Sequence, residues 1–288
     1  MAVTFVAASH ANFTSGSVTS VSMTEPTGTA QNDVLLLTGI AANATVQPGV
    51  TIPSGWTGFG DGVIKFAPLS AGIFADVVFA WVLRGASAPT LSLAWTNAAS
   101  YWEWSLTAWR GCLTSGNPFS DYGIINPTSL TGTTGLDCPP TSVKVGDLAV
   151  AAGMYWVGNG TAWTAPAGYT LADTGAAGTD IAVAYKSITV DGIDDPAVFG
   201  GVGSATVSSY TGLTVALRSA VRTILPAPQS VVVPSKLYLP RAPFALGQPD
   251  YSPGFAQPLI AQSEIFGGPI AMPFPASPST FVPRVIWI

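Results

Sequence analysis

Three acidic residues, Asp191, Asp194 and Asp195, lie within five positions and could supply closely spaced oxygen ligands to a calcium ion. The segment Asp-Gly-Ile-Asp-Asp lacks the remaining ligand positions of a complete calcium loop, and the first half of the chain contains no counterpart. A solvated turn is therefore the preferred interpretation, with a metal site as the alternative. We expect no cofactor.

The chain contains a single histidine, His10, and two cysteines, Cys112 and Cys138. Nucleophilic hydrolases need a base beside the nucleophile, and zinc sites need clusters of Cys and His, so neither chemistry is expected here. A solitary His is typical of a surface or capped residue. Both thiols are predicted to be free and structural, and a bridge across the connection between the two repeats described below is the alternative.

Glu103 is the remaining residue that could take part in acid-base chemistry. With a neighbouring Asp it could form the carboxylate pair of a glycosidase, which would make the protein a glycoside-degrading depolymerase. Glu103 alternates with aromatic residues along a predicted strand, however, and a capping role or pairing with Arg84 or Arg110 is the preferred interpretation. We therefore expect a protein that is not an enzyme.

Four tryptophans of the first half of the chain could contact a partner: Trp95, Trp102, Trp104 and Trp109. Aromatic faces on a β-sandwich can stack on sugars, and a host surface glycan is one candidate ligand. Packing in a core or an interface is the preferred alternative, because Trp buries a large area in both settings.

These residues lie on elements that occur twice in the chain. Residues 51–57 read Thr-Ile-Pro-Ser-Gly-Trp-Thr and residues 164–170 read Thr-Ala-Pro-Ala-Gly-Tyr-Thr. A Pro-x-Gly turn followed by an aromatic residue places a large apolar side chain at the start of a strand. The flanking segments recur in the same order, which indicates a tandem duplication of about 110 residues, a size typical of one domain.

Both copies consist of apolar runs and alternating apolar and small polar residues, and no window shows a helical period. This pattern predicts an all-β protein with two tandem antiparallel jelly-roll-like β-sandwiches, at 1–117 and 118–220. Asp33 and Asp147, and likewise Asp76 and Asp180, occupy equivalent positions before strands. We expect these carboxylates to cap turns by accepting bonds from backbone amides two residues further on.

Residues 221–288 have a different composition, since they contain thirteen of the 24 prolines. No sandwich tolerates that density of proline, and disorder is typical of highly charged chains of low hydrophobicity, which this segment is not. The sequence predicts an extended C-terminal arm. Its aromatic residues recur every 13 to 15 positions, each followed by a proline, and an apolar segment ends the chain: Tyr238, Pro240, Tyr251, Pro253, Phe266, Pro269, Phe281, Pro283 and Trp287.

Composition limits the partners of the protein. Charged residues make up 9% of the chain, against roughly 25% in an ordinary soluble domain, and the mean hydropathy is +0.43. No apolar run approaches the roughly 20 residues of a membrane helix, so burial in an assembly is expected instead of lipid. The net charge of −5, with scattered Lys and Arg, argues against a nucleic-acid partner. The first residues lack a basic segment and resemble a strand, so synthesis in the cytoplasm is expected.

The order of these motifs carries a family resemblance. Each copy contains, in order, Pro-Thr-x5-Asp before an apolar strand, the Thr-x-Pro-x-Gly-aromatic-Thr turn, an Asp-x4-aromatic strand and a closing strand that ends in Arg110 or Arg218. This order resembles the duplicated β-sandwich of structural proteins of tailed bacteriophages and prophages. The Ser-x-x-aromatic-x-Pro units of the arm are similar to short C-terminal repeats of other virion proteins. The resemblance covers residues 1–219.

That resemblance implies a non-enzymatic virion component, present in several copies and bound to other virion proteins at the head, neck or tail. The arm would clamp each copy onto its neighbours. A receptor- or glycan-binding adhesin that uses the Trp-rich first sandwich is the alternative function.

Overall fold

A computed structural model of the chain describes residues 2–13, 16–69, 73–125, 136–155, 163–173, 180–201 and 210–221. The chain divides into two units, Met1–Gln229 and Ser230–Ile288, and every described residue belongs to the first. Within the described ranges the secondary structure is β throughout, every paired strand is antiparallel, and no helix occurs. The predicted all-β class is confirmed.

The first repeat contributes eight strands: β1 (Thr4–Phe13), β2 (Val18–Ser22), β3 (Val34–Asn43), β4 (Val50–Thr51), β5 (Thr57–Leu69), β6 (Ile73–Leu83), β7 (Ser92–Ala99) and β8 (Tyr101–Arg110). They form a five-stranded sheet in the order β1-β8-β3-β6-β5 and a three-stranded sheet in the order β2-β7-β4.

The described part of the second repeat contributes seven strands: β9 (Phe119–Ile125), β10 (Thr141–Val143), β11 (Leu148–Tyr155), β12 (Thr170–Asp173), β13 (Ile181–Ser187), β14 (Gly192–Asp194) and β15 (Tyr210–Leu217). Their five-stranded sheet has the order β9-β15-β11-β13-β12, and β10 pairs with β14. Strand by strand, this is the order of the first repeat.

The registers agree as well as the order. In the first repeat Val34 of the central strand β3 lies opposite Trp109 of β8. In the second, Leu148 of the central strand β11 lies opposite Leu217 of β15. The other neighbour of each central strand is also in equivalent register, since β3 pairs with β6 as β11 pairs with β13. The two halves of the chain thus share strand order and register among the described residues.

The repeated Pro-x-Gly turns adopt the predicted geometry. Trp56 N donates to Pro53 O at 3.0 Å, and Tyr169 N donates to Pro166 O at 2.9 Å. The glycine before each aromatic residue has φ near +80°, a value that L side chains rarely adopt and that a type II turn requires. Both aromatic side chains are buried, so each turn anchors an edge strand to a core.

Two of the repeated aspartates, Asp33 and Asp147, cap turns, but in a different direction from the one predicted, whereas Asp76 lies within β6 and accepts bonds from the distant backbone N–H groups of Gly49 and Val50. Asp33 accepts a bond from Ala30 N at 2.8 Å, and Asp147 accepts one from Lys144 N at 3.1 Å. Each carboxylate therefore binds the amide three residues before it. This closes the turn that leads into the central strand of each five-stranded sheet.

The five-stranded sheets pack face to face, and the smaller sheets cover their outer faces. One buried cluster combines alternate residues of β3, β6 and β8 with alternate residues of β11, β13 and β15. The intervening residues of each sheet belong to a separate cluster with the smaller sheet of the same repeat. Both faces of β3 and β11 are therefore buried, which accounts for their continuous apolar runs.

Candidate functional site

A cluster of polar side chains is buried between the two five-stranded sheets. His10 of β1 lies between Glu103 of β8 and Asp173 of β12. Its Nδ1 is 3.0 Å from Asp173 Oδ2, and its Nε2 is 3.3 Å from Glu103 Oε1. The Glu103 side chain is fully buried, and the other two side chains are 11% exposed. One imidazole thus bridges a carboxylate from each repeat.

The Glu103 carboxylate has further partners from both repeats. The backbone N–H groups of Asp180 and Ile181 donate to its two oxygens, each at 2.9 Å. The Tyr101 hydroxyl donates to Oε2. A carboxylate with this many donors is held in one position, and it connects β8 of the first repeat to the start of β13 in the second.

Local strand geometry brings these groups together. Successive side chains of a strand point to opposite faces, so Tyr101, Glu103 and Ser105 all face the second repeat. In β12 the register shifts by one residue between Leu171 and Asp173. Such bulges redirect side chains, and this one places Asp173 against β1. The cluster therefore depends on the packing of the two repeats and cannot form within one of them.

The electrostatics of the cluster favour a charged imidazole. Burial lowers the pKa of His10, but the hydrogen bonds and negative charges of Asp173 and Glu103 outweigh this effect and raise the pKa to about 9. Burial, followed by the charge of Glu103, raises the pKa of Tyr101 far above its ordinary value. At neutral pH the imidazole is therefore a cation and the phenol a hydrogen-bond donor.

This arrangement differs from that of a nucleophilic hydrolase, although it contains Ser, His and Asp. The Ser105 hydroxyl donates to Asp173 and not to His10. The His10 nitrogens face two carboxylates, so both carry protons. A general base must be able to accept a proton from its nucleophile. The geometry instead makes His10 a cationic link between two anionic groups.

The pH dependence of stability tests this assignment. Because the folded-state pKa of His10 is raised from 6.5 to about 9, the stabilisation is complete below about pH 6.5 and is lost as the pH rises through 9. The full difference is on the order of 3 kcal/mol. We expect urea unfolding at pH 6 to 9 to show a falling free energy of unfolding in the native sequence and a much flatter profile in His10→Gln. Equal slopes for both proteins would contradict the assignment.

Sequence reasoning did not predict this cluster. The expected pairing of Glu103 with Arg84 or Arg110 is wrong, because Arg84 bonds to Glu25 at 2.7 Å and Arg110 to Asp33 at 2.8 Å. Both arginines lie at strand ends, whereas Glu103 points into the space between the sheets. The available signal was a charged residue in the middle of a strand whose other residues, apart from the terminal Arg110, are apolar, aromatic or hydroxyl-bearing.

The three candidate metal-ligating aspartates do not converge. Asp191 accepts bonds from Val145 N and Lys144 Nζ at a turn. Asp194 is buried and bonded to Tyr169 and Lys186, while Asp195 is exposed. Among the described residues no group of three or more His, Cys, Asp or Glu side chains could hold a metal ion.

The four candidate tryptophans lie in or against the cores. Trp95 is 4% exposed, Trp104 2% and Trp109 0%, which leaves too little of the rings for a sugar to stack on. Trp102 is partly buried against the core between the sheets of the first repeat. The predicted alternation along β8 is confirmed, because Trp104 and Trp109 belong to the cores on opposite faces of the sheet.

The remaining candidates are the cysteines and the arm. Cys112 and Cys138 are free and buried, as predicted. Burial raises the pKa of Cys112 to about 12 and that of Cys138 further, so neither thiol is reactive at neutral pH. All nine arm residues, Tyr238, Pro240, Tyr251, Pro253, Phe266, Pro269, Phe281, Pro283 and Trp287, lie outside the described residues.

A groove of about 740 Å³ lies where the edge strands β5 and β9 face each other. Its apolar and aromatic lining residues include Phe59, Val63, Tyr122 and Ile124. Two exposed charged residues, Asp61 and Lys65, also line it. The Tyr122 side chain is 43% exposed, its hydroxyl accepts a bond from Gly60 N at 3.3 Å, and its ring contacts Phe59 edge-on. The groove is thus lined by both apolar and charged side chains and contains an accessible aromatic side chain.

Within the described ranges no helix is long and apolar enough to cross a membrane. No protein-family model matches the chain, and comparisons with curated proteins and with solved structures give no match.

Proposed function

We propose that this protein is a non-enzymatic structural component of a tailed-bacteriophage particle. Residues 1–220 serve as a rigid all-β block, and residues 221–288 are the arm that attaches each copy to neighbouring subunits. Its partners are copies of itself and other virion proteins, and it functions in the virion after synthesis in the host cytoplasm. The observation that carries the proposal is the apolar, proline-rich composition of the arm.

In this proposal each repeat is a jelly-roll-like sandwich. A jelly roll has eight strands in two sheets, with the first, eighth, third and sixth strands adjacent in one of them. The order β1-β8-β3-β6 in the larger sheet and β2-β7-β4 in the smaller one supports this connection. The fifth strand departs from the pattern, because β5 extends the larger sheet beside β6.

The internal packing of the block supports a structural role. The face-to-face sheets bury both surfaces of their central strands. The acid-base groups of the central cluster are engaged with one another, and their protons are held in ion pairs. A body of this kind resists deformation and offers fixed surfaces to neighbours.

The arm supplies the argument for assembly. Fixing 68 residues costs on the order of 100 kcal/mol at roughly 1.5 kcal/mol each. At about 25 cal/mol per Å² this requires about 4,000 Å² of apolar burial. Proline reduces the cost by restricting the free chain. A segment this apolar has to cover such an area on other subunits, and extended segments do so by strand addition and by inserting side chains into pockets.

Deletion of residues 221–288 tests the proposal. We expect the shortened protein to keep its β circular-dichroism spectrum and cooperative unfolding, and to sediment as a monomer at concentrations where the full chain self-associates. When both forms are supplied during particle production, only the full chain should co-purify with particles. Normal incorporation of the folded, shortened form would overturn the proposed role of the arm.

A further inference from the structure

The two repeats are related by an approximate twofold axis within the chain. The edge strand β1 faces β12 across the sheet interface, and β9 faces β5. Strand β1 is equivalent to β9, and β5 to β12, because each pair occupies the same place in its sheet. The interface between the repeats therefore has two equivalent edges, like the interface of a symmetric dimer.

The registers identify which residues are equivalent at these two edges. His10 lies opposite Ser105 in the first repeat, and Ile124 lies opposite Leu213 in the second. Ser105 lies four positions before Trp109, which pairs with the first residue of β3. Leu213 lies four positions before Leu217, which pairs with the first residue of β11. Ser105 and Leu213 are therefore equivalent. Ile124 thus occupies the place of His10 at the second edge.

Strands β12 and β5, which face β1 and β9, also differ at equivalent places. In β12 one extra residue precedes Asp173, which lies opposite Val183. In β5 the register shifts between Gly58 and Val63, so residues 59–62 occupy the equivalent place. Gly60 and Gly62 in this longer bulge have positive φ.

The two equivalent edges therefore differ: the first is closed by an ion pair, and the second contains an open groove. At the first edge, the His10–Asp173 ion pair joins the sheets. At the second edge, Ile124 and the β5 bulge provide no such pair, and the groove of about 740 Å³ lies between them. Apolar Ile124 occupies the place that His10 has at the first edge, and an aromatic side chain, Tyr122, is accessible beside it.

We infer that this groove, lined by Phe59, Asp61, Ile64, Lys65, Tyr122 and Ile124, is the docking site for the C-terminal arm of a second copy of this chain. The inference rests on the proposed function and names the surface that the arm would engage. The ligand is one aromatic-x-Pro unit in extended conformation. The volume of the groove lies within the range of about 300–1,000 Å³ of protein sites that enclose comparable ligands.

Charge and chain length favour this occupant. Residues 221–288 carry four basic and two acidic side chains, whereas residues 1–220 carry six basic and thirteen acidic ones. The arm is therefore positive and the block strongly negative, which favours association between copies. From Val221 the remaining 67 residues can span up to roughly 220 Å when extended. That reach is ample for a neighbouring copy.

Strands β5 and β9, which end their sheets among the described residues, add a second mode of contact. The unpaired edge of such a strand can accept backbone hydrogen bonds from an added segment. The arm's aromatic side chains would fill the groove while its backbone follows an edge. Prolines at intervals limit such pairing to short stretches, which suits a groove of this size.

Sedimentation of full-length variants tests the site. We expect Tyr122→Glu to weaken self-association at least tenfold, because desolvating its carboxylate under an aromatic side chain of the arm costs more than the attraction to the arm's net positive charge returns. Tyr122→Phe should retain association, because the ring remains. Ile193→Glu is the matched control, since Ile193 is 71% exposed and lies on β14, in the smaller sheet of the second repeat. It should associate like the native sequence.

A crosslinking measurement identifies the occupant directly. A photoreactive phenylalanine analogue at position 122, mixed with an isotope-labelled copy, should join residue 122 to a labelled peptide from residues 222–288. Crosslinks to other peptides, or association unaffected by Tyr122→Glu although the arm deletion abolishes it, would overturn the docking site and leave the proposed function standing. If the arm deletion itself left association and incorporation unchanged, the proposed function would fail first.

Discussion

Glu103→Ala is expected to lower the free energy of unfolding by about 3–5 kcal/mol, the usual range for removing one partner of a buried ion pair. The substitution leaves two backbone N–H groups, at Asp180 and Ile181, without their acceptors. It also leaves the His10 cation with a single carboxylate and the Tyr101 hydroxyl without its acceptor. Urea unfolding followed by circular dichroism at pH 7 measures the loss.

Two further variants separate charge from shape. Glu103→Gln keeps one acceptor oxygen and the size of the side chain, so we expect an intermediate loss. Glu25→Gln makes the same chemical change in the ion pair with Arg84 near the protein surface, where water replaces the lost interaction and the effect should be small. Similar effects of Glu25→Gln and Glu103→Gln would show that the buried cluster does not stabilise the fold.

The cluster also explains which features could be predicted from the sequence. The turns at Trp56 and Tyr169, the repeat and the β class depend on local patterns of glycine, proline and alternation, and the structure contains all of them. The two backbone N–H groups that donate to Glu103 are 77 and 78 residues away, in the other repeat. No local pattern specifies a contact of that kind, because it depends on how the repeats pack.

The continuous apolar runs of the central strands were a sequence signal for face-to-face packing of the two large sheets. A sheet that covers one core should show polar residues on its outer face. Strand β3 instead has nine buried residues in succession, and all eight residues of β15 are buried. Two-sided burial in both repeats indicates that each large sheet is covered on its second face. The equivalent edges could not be told apart without the registers, since His10 and Ile124 share no local motif.

Gly153→Ala is expected to destabilise the protein by about 2–3 kcal/mol, in the upper part of the range for overpacking a core. A Cβ at this position of β11 would lie 2.7 Å from two carbon atoms of Leu136 and 2.8 Å from the backbone oxygen of Thr211. The Leu136 side chain could move, but the Thr211 carbonyl belongs to the adjacent strand β15 and cannot move without disturbing the ladder. Thermal or urea unfolding measures the effect.

The internal repeat supplies the control for this prediction. Gly39 occupies the equivalent position in β3, and a Cβ there would lie 3.0 Å from a Val78 methyl carbon and 3.6 Å from the Glu103 backbone oxygen. Because the nearest atoms are the ends of side chains, Gly39→Ala should cost less, and the entropy lost by the unfolded chain offsets about 0.4–1 kcal/mol of it. A loss at Gly39 equal to that at Gly153 would show that strand propensity, and not the close approach of a neighbouring backbone, requires glycine at these positions.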